Sequence, residues 1–361
     1  MNSQLEKIGQ INSNNSNKGK SVICPKPKLI VADKTAFLNE LKGCESNLLC
    51  IATKKETLEA LQTIANENEA EVWRYSLTDV ENSRKDFNWI KLCNDERMAW
   101  LVANTILRSQ LTSKPDQFGD DPNKEAELKT LFLAAMLADV ASCQEPEALK
   151  TYKFRDESIA KGYSIEKVQA DLYNSKSEVA REYAKSFTVN TYVNDWLRFR
   201  LDCLTNDLNW LVAEQFRDFI AANNQQSPDF SKLRNNKVIA YLDLTDLENK
   251  ETNPLSSLFF SVALEQLKQT DNTNTTHIFI DELTSIGQIP NLPIDIGIVR
   301  RFNIGLVLAT SDLDKLAMIY GLDNAKVIIG NGLGLSSLDE IERIYSLSNP
   351  INLENLEFGA K

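Results

Sequence analysis

Residues 277–283 read HIFIDEL. Four residues, mostly apolar, run straight into two acids, Asp281 and Glu282. A short continuous apolar run suits a strand covered on both faces. The acids then stand at its C-terminal end, where open α/β sheets place their ligands. On these residues alone, the plainer reading is a strand that ends in two solvated acids before a turn.

The same texture recurs on either side. KLIVA (28–32), LLCIAT (48–53) and EVWRYSL (71–77) read as strands, with TAFLNELKG and KETLEALQTIANENE as helices between them. KVIAYLDL (237–244) and IGLVLATS (304–311) are further strands, and PLSSLFFSVALEQLKQ (254–269) and DLDKLAMIYG (312–321) are helices. KVIIG (326–330) reads as a last strand and SLDEIERIYSL (337–347) as a last helix. Alternating β and α with continuous apolar strands predicts an α/β fold, a mostly parallel sheet flanked by helices. Between these two stretches the pattern is helical. MAWLVANTILRSQL, KEAELKTLFLAAMLADVA, SIEKVQADLY and NDWLRFRLDCLTNDLNWLVAEQFRDFI carry apolar residues at three- and four-residue spacing, and SKPDQFGDDPN (113–123) reads as a loop. The organisation expected is an Asn/Ser-rich disordered tail at 1–27, one discontinuous α/β domain at 28–95 and 232–361, and an inserted all-α domain at 96–231.

Composition narrows the chemistry. The six cysteines form no C-x-x-C pair, and with His277 as the single histidine neither a Cys/His zinc site nor a Ser/His/Asp triad has much to draw on. Reduced, buried thiols in a reducing compartment fit best. No run approaches the length of a membrane helix, and the N-terminus lacks the apolar core of a signal peptide, so the expectation is a cytoplasmic protein. The net charge of −11 argues against unaided duplex binding, while leaving room for a local basic loop.

The residues after the acids carry more information. The chain continues FIDELTSIGQIPNLPIDIGIVRRFNIGLVLATSDLDKLAMIYGLDNAKVIIGN. This resembles the C-terminal signature of the TraG/TraD class of type IV secretion coupling proteins. The matching positions are Asp281, Glu282, Ile286-Gly287, Ile289, Arg300, the strand IGLVL, Ser311, Leu316, Tyr320-Gly321 and Asn331. The likeness runs back through YLDLTDLENKETNPLSSLFFSVALEQL and, more weakly, to EVWRYSL and FNWIKL. It implies a RecA-like, P-loop-ATPase-type sheet that uses ATP and Mg²⁺. Asp281 would hold Mg²⁺ through water, and Glu282 would polarise the attacking water. Arg300 would stand where a neighbouring subunit's arginine finger is possible; a solvated arginine at a helix end, like Arg301, is the alternative. The resemblance also implies an oligomeric ring and conjugative DNA transfer among type IV secretion components. The all-α domain would face DNA or relaxosome proteins, and a partner would supply contact with the inner membrane.

Several positions depart from that pattern. The P-loop lysine and hydroxyl would be Lys34 and Thr35, Thr35 serving Mg²⁺, yet the two glycines of the loop are replaced by Lys28 and Asp33, and 28–32 reads as the strand itself. Gly19-Lys20-Ser21 has suitable letters but no leading strand, and Pro25 and Pro27 follow it. The D-P-K-G-E of the class is ATKKE here, with Ala52 in place of Asp, and the glutamine that senses the γ-phosphate is Thr310. Two readings therefore stand: an ATP-driven DNA translocase, or a degenerate non-hydrolysing paralogue acting as an adaptor. A third, outside this class, is an unrelated cytosolic α/β enzyme or interaction module with an incidental Asp-Glu strand end.

Overall fold

The computed structural model describes residues 26–44, 47–109, 122–142, 170–186, 227–247, 253–270, 274–335, 338–341 and 343. The strands are β1 (Lys28–Val31), β2 (Leu48–Ala52), β3 (Glu71–Ser76), β4 (Val238–Asp243), β5 (Thr276–Ile280) and β6 (Ile304–Thr310). The helices are α1 (Lys34–Lys42), α2 (Lys55–Asn68), α3 (Glu96–Ser109), α4 (Pro122–Ser142), α5 (Glu178–Ser186), α6 (Asn253–Gln269), α7 (Leu292–Ile298), α8 (Leu313–Tyr320) and α9 (Leu322–Leu333).

The six strands form one sheet in the order β1-β6-β5-β2-β4-β3, and every neighbouring pair is parallel. Every residue of β2, β4 and β6 is buried, because helices cover both faces. The period of two divides them. Leu48, Cys50 and Ala52 meet Phe37 and Leu41 of α1 and Leu61 and Ile64 of α2. Leu49 and Ile51 point to the larger core, which holds α6 and α9. There Tyr75, Phe87, Phe230 and Phe259 stack edge-on or tilted, with Phe230 and Phe259 5.1 Å apart at 81°.

The described helices α3, α4 and α5 all fall between β3 and β4 in the chain. Buried residues of α3, α4 and α5 belong to the same continuous core as the sheet, with α3 against α6. Tyr183 of α5 donates its hydroxyl to the Glu96 carbonyl at the start of α3. The loop expected at 113–123 lies outside the described residues up to 121, and α4 begins at Pro122, where proline's missing N–H costs nothing. Also outside are residues 1–25 of the tail, the helix expected at 194–220, the first part of SIEKVQADLY and most of 337–347.

One element differs from its sequence reading. KVIIG at 326–330 is not a strand; it lies inside α9. Three successive β-branched residues, Val327, Ile328 and Ile329, imitate a buried strand. The buried positions are Ala325, Ile328, Ile329, Gly330 and Gly332, a stripe of helical spacing, while Val327 is 43% exposed. Gly332 lets this helix approach β1: a Cβ there would lie 2.5 Å from Leu29 Cβ.

Candidate functional site

All six parallel strands end at one edge of the sheet, and three of the connections there have two residues each. β1 reaches α1 through Ala32 and Asp33, β2 reaches α2 through Thr53 and Lys54, and β6 reaches α8 through Ser311 and Asp312. Asp281 and Glu282 follow β5, which lies between β6 and β2. A cleft of about 260 Å³ opens here, lined by Asp33, Lys34, Lys54, Asp281, Glu282 and Thr310, with Phe37 and Leu38 of α1 as its apolar wall.

Helix N-termini present unpaired N–H groups and positive potential, which is why they attract phosphate. The N-termini of α1, α2 and α8 at this edge are each already served by a carboxylate of the protein. Asp33 caps α1, accepting the Ala36 N–H at 2.8 Å. Asp312 caps α8, accepting from Asp314 and Lys315 at 2.9 and 3.0 Å. α2 has no cap from its own N-cap residue, Lys54. Asp281 supplies it from β5, accepting the Thr53 N–H at 2.9 Å, the Thr53 hydroxyl at 2.7 Å and the Lys54 N–H at 3.0 Å. Asp281 is 1% exposed, and burial pushes its carboxyl up against the pull of these donors and of the Thr57 hydroxyl.

Glu282 is held as closely. Oε1 accepts from the Thr284 hydroxyl at 2.8 Å and the Ser311 N–H at 3.0 Å, and Oε2 faces the Lys54 ammonium at 3.2 Å. Burial works to raise its carboxyl, but the Ser311 N–H, the Thr284 hydroxyl and the Lys54 charge prevail and hold it below its ordinary value. The Lys54 ammonium also donates to the Asp281 carbonyl at 3.2 Å.

The remaining sequence-predicted residues divide. Lys34 lines the cleft, yet its ammonium pairs with Glu56 at the surface. Thr35 is exposed and does not line the cleft, so Thr35 and Asp281 are not brought together. Thr310 lines the cleft, but its hydroxyl donates to the Asp312 carbonyl at 3.2 Å and accepts the Asp312 N–H, which closes the β6–α8 turn. Arg300 is exposed on the 3₁₀ turn Val299–Phe302, before β6 begins. The seven residues of β6 separate it from the acids by roughly 20 Å, so it can serve this cleft only from another copy. Gly19-Lys20-Ser21 lies outside the described residues.

A P-loop wraps phosphate with several glycine-rich residues between strand and helix. Here Ala32 and Asp33 are the whole connection, Ala32 has φ 53°, and its N–H is bonded to the Thr310 carbonyl. These residues do not fit a Mg-nucleotide: no phosphate cradle is present between β1 and α1, and both acids are engaged by protein donors. Among the described residues no group of His, Cys, Asp or Glu is arranged to hold a metal.

Sequence reading missed Lys54, Thr53 and Ser311 as parts of this site. The signal for Lys54 lay in ATKKE, whose third residue matches the lysine of D-P-K-G-E although Ala52 departs from its Asp.

The model of the type IV secretory system conjugative DNA transfer family matches residues 44–343. The chain belongs to that family. The match begins beyond β1 and α1, so Lys34 and Thr35 lie outside it, while Lys54, Asp281, Glu282 and Thr310 lie within it. No curated protein matches the sequence. Among solved structures, the chain is similar to the plasmid coupling protein TrwB in complex with a non-hydrolysable GTP analogue. That likeness has 12% identity and a TM-score of 0.46 over 85% of this chain and 73% of the other. TrwB in complex with ADP and Mg²⁺ gives 10% identity and a TM-score of 0.44 over 85% and 73%. VirB4 of Thermoanaerobacter pseudethanolicus gives 12% and 0.48 over 93% and 83%. As a family member the chain is a coupling-protein-like component of conjugative transfer, as its C-terminal motif cluster implied. No helix among the described residues is long and apolar enough to cross a membrane.

Proposed function

We propose that this chain is a non-hydrolysing member of the conjugative DNA transfer family, an adaptor built on the framework of a nucleotide-driven motor. One observation carries the reading. The turn where a phosphate cradle would form has two residues, and the second, Asp33, puts its own carboxylate on the N-terminus of α1. A carboxylate there already satisfies the site that phosphate would use, and would repel it. The loss of Asp at Ala52 and of Gln at Thr310 points the same way.

The rival reading, ATP-driven DNA translocation with Mg²⁺, draws on Lys34 and the two acids lining one cleft. Lys34 is a lone point charge, half exposed and paired with Glu56. A surface pair of this kind is worth little. In the adaptor, residues 96–231 would form the face turned to DNA or relaxosome proteins. Other type IV secretion components, or further copies in a ring, would supply any contact with the inner membrane, and Arg300 would lie at a subunit boundary.

Phosphate release from ATP tests this reading. The purified protein with Mg²⁺ should release no more phosphate than its Glu282→Gln variant, with or without single- or double-stranded DNA. Hydrolysis that DNA stimulates and Glu282→Gln abolishes would restore the motor.

A further inference from the structure

One side of α3 is not used by the core. Met98, Ala99, Val102, Ala103 and Ile106 are buried. Arg97, Trp100, Leu101, Asn104 and Arg108 recur at three- and four-residue spacing on the opposite side. With Glu265 of α6 and Asn291 before α7, they line a groove of about 340 Å³. It shares no lining residue with the strand-end cleft.

The groove is basic in excess. Arg97 is 64% exposed and pairs with Glu265, whose side chain is 9% exposed and also accepts from Gln269 at 3.0 Å. One buried acid is thus matched by one arginine. Arg108 is exposed, and among the described residues neither it nor the side-chain amides of Asn104 and Asn291 has a partner. Trp100 and Leu101, both half-buried, form an apolar strip between the two arginines. Arginines flanking such a strip suit a peptide that mixes acids with large apolar side chains.

The chain carries such a sequence. Residues 353–358 read LENLEF, with Glu354 and Glu357 set among Leu353, Leu356 and Phe358. They lie outside the described residues, but the place from which they set out is fixed. Ile341 is buried against α9, since a Cβ at Gly330 would lie 3.1 Å from its Cδ1. α9 packs on α7, which Asn291 precedes. The ten residues 344–353 can span about 33 Å, against about 10 Å for the seven residues of α7. Six residues can span about 20 Å, and Arg97 and Arg108 stand about 16 Å apart along α3.

We propose that the α3 groove is a docking surface for an acidic, apolar peptide, and that its occupant is the chain's own segment 353–358. Glu354 and Glu357 meet the arginines, and the leucines and Phe358 cover Trp100 and Leu101. A tethered segment acts at millimolar effective concentration, so a few exposed contacts suffice to seat it. A partner that uses this surface must carry the same chemistry and displace the segment. The proposal holds whether or not ATP is hydrolysed, because no groove residue belongs to the cleft.

The probe is a fluorescein-labelled peptide of residues 350–361, followed by anisotropy. Its receptors are full-length wild type and a full-length Glu354→Lys/Glu357→Lys variant, whose own segment is disabled. The peptide should bind the variant, and should bind wild type at least about tenfold more weakly because that groove is already filled. Adding Arg108→Glu to the variant should weaken the peptide by about fivefold or more. Arg108 is exposed, so its reversal should leave thermal melting unchanged. Equal binding by wild type and variant, no binding by the variant up to about 1 mM, or indifference to Arg108→Glu would overturn the proposal. Light scattering examines the other occupant. A wild-type mass that rises with concentration, while that of the variant does not, would put the segment on a second copy and overturn docking within one chain.

Discussion

Both carboxylate oxygens of Asp281 accept the backbone N–H of Thr53 at 2.9 Å, and Oδ1 also takes the Thr53 hydroxyl at 2.7 Å. A strand end and a helix start, 228 residues apart in sequence, are thereby joined. In this chain the first acid of the Asp-Glu pair is a capping group for α2.

Asp281→Ala should therefore unfold the protein more readily, by about 2–4 kcal/mol. It strands the Thr53 and Lys54 N–H groups in a half-buried place. Asp281→Asn should cost less, since an amide oxygen still accepts. Urea titration followed by circular dichroism measures both. A loss below about 0.5 kcal/mol for the alanine variant, the range of ordinary surface changes, would mean that the carboxylate does not hold this junction.

Glu282 gives a pH signature. Its carboxyl is held below the ordinary value of 4.5, so the folded state binds its proton less readily than the unfolded chain does. Its stabilising contribution is complete above that ordinary value and is lost as pH falls through the lower, folded one. Glu282→Gln should be less stable than wild type at neutral pH, and the gap should narrow in acid. A gap that does not change with pH would place the stabilisation elsewhere.

The packing of α9 on β1 can be tested with glycines. At Gly332 an added Cβ would meet Leu29 Cβ at 2.5 Å and the Leu29 N at 3.1 Å. Gly332→Ala should cost about 1–3 kcal/mol by forcing the helix away from the strand. At Gly297, also helical, a Cβ would meet nothing within 4 Å. Gly297→Ala should be neutral or stabilising by up to about 1 kcal/mol. Equal melting temperatures for the two variants would contradict the helix and its contact.

Arg234 holds the opposite edge of the sheet. It is 0% exposed, and its guanidinium donates to the carbonyls of Leu267, Asn274, Phe302 and Asn303, which gather α6 and the entries to β5 and β6. Lysine cannot span that fan of acceptors. Arg234→Lys should lose about 2 kcal/mol or more, and Arg234→Met should lose at least as much, because buried carbonyls are left without donors. Wild-type-like urea midpoints would show that the clamp is dispensable.

The sheet was legible because parallel strands buried on both faces leave continuous apolar runs, and β2, β4, β5 and β6 all carry one. The acids were legible because they end such a run. α9 was misread because Val327, Ile328 and Ile329 imitate a strand, and the deciding contact, Gly332 on Leu29, is distant in sequence. The cleft's inner arrangement was not legible for a similar reason. Nothing local announces that Asp281 caps a helix beginning at residue 55, or that Lys54 reaches Glu282. The shortness of the β1–α1 turn was legible, since KLIVA runs directly into Asp33 and Lys34.

The most direct test of the central claim is titration of the folded protein with a fluorescent ATP analogue and Mg²⁺. With Asp33 on the α1 N-terminus and a two-residue turn, the account predicts no saturable binding, and no change on Lys34→Ala. Low-micromolar binding that disappears in Lys34→Ala would contradict it, because a working phosphate site would then exist where the structure has a carboxylate cap.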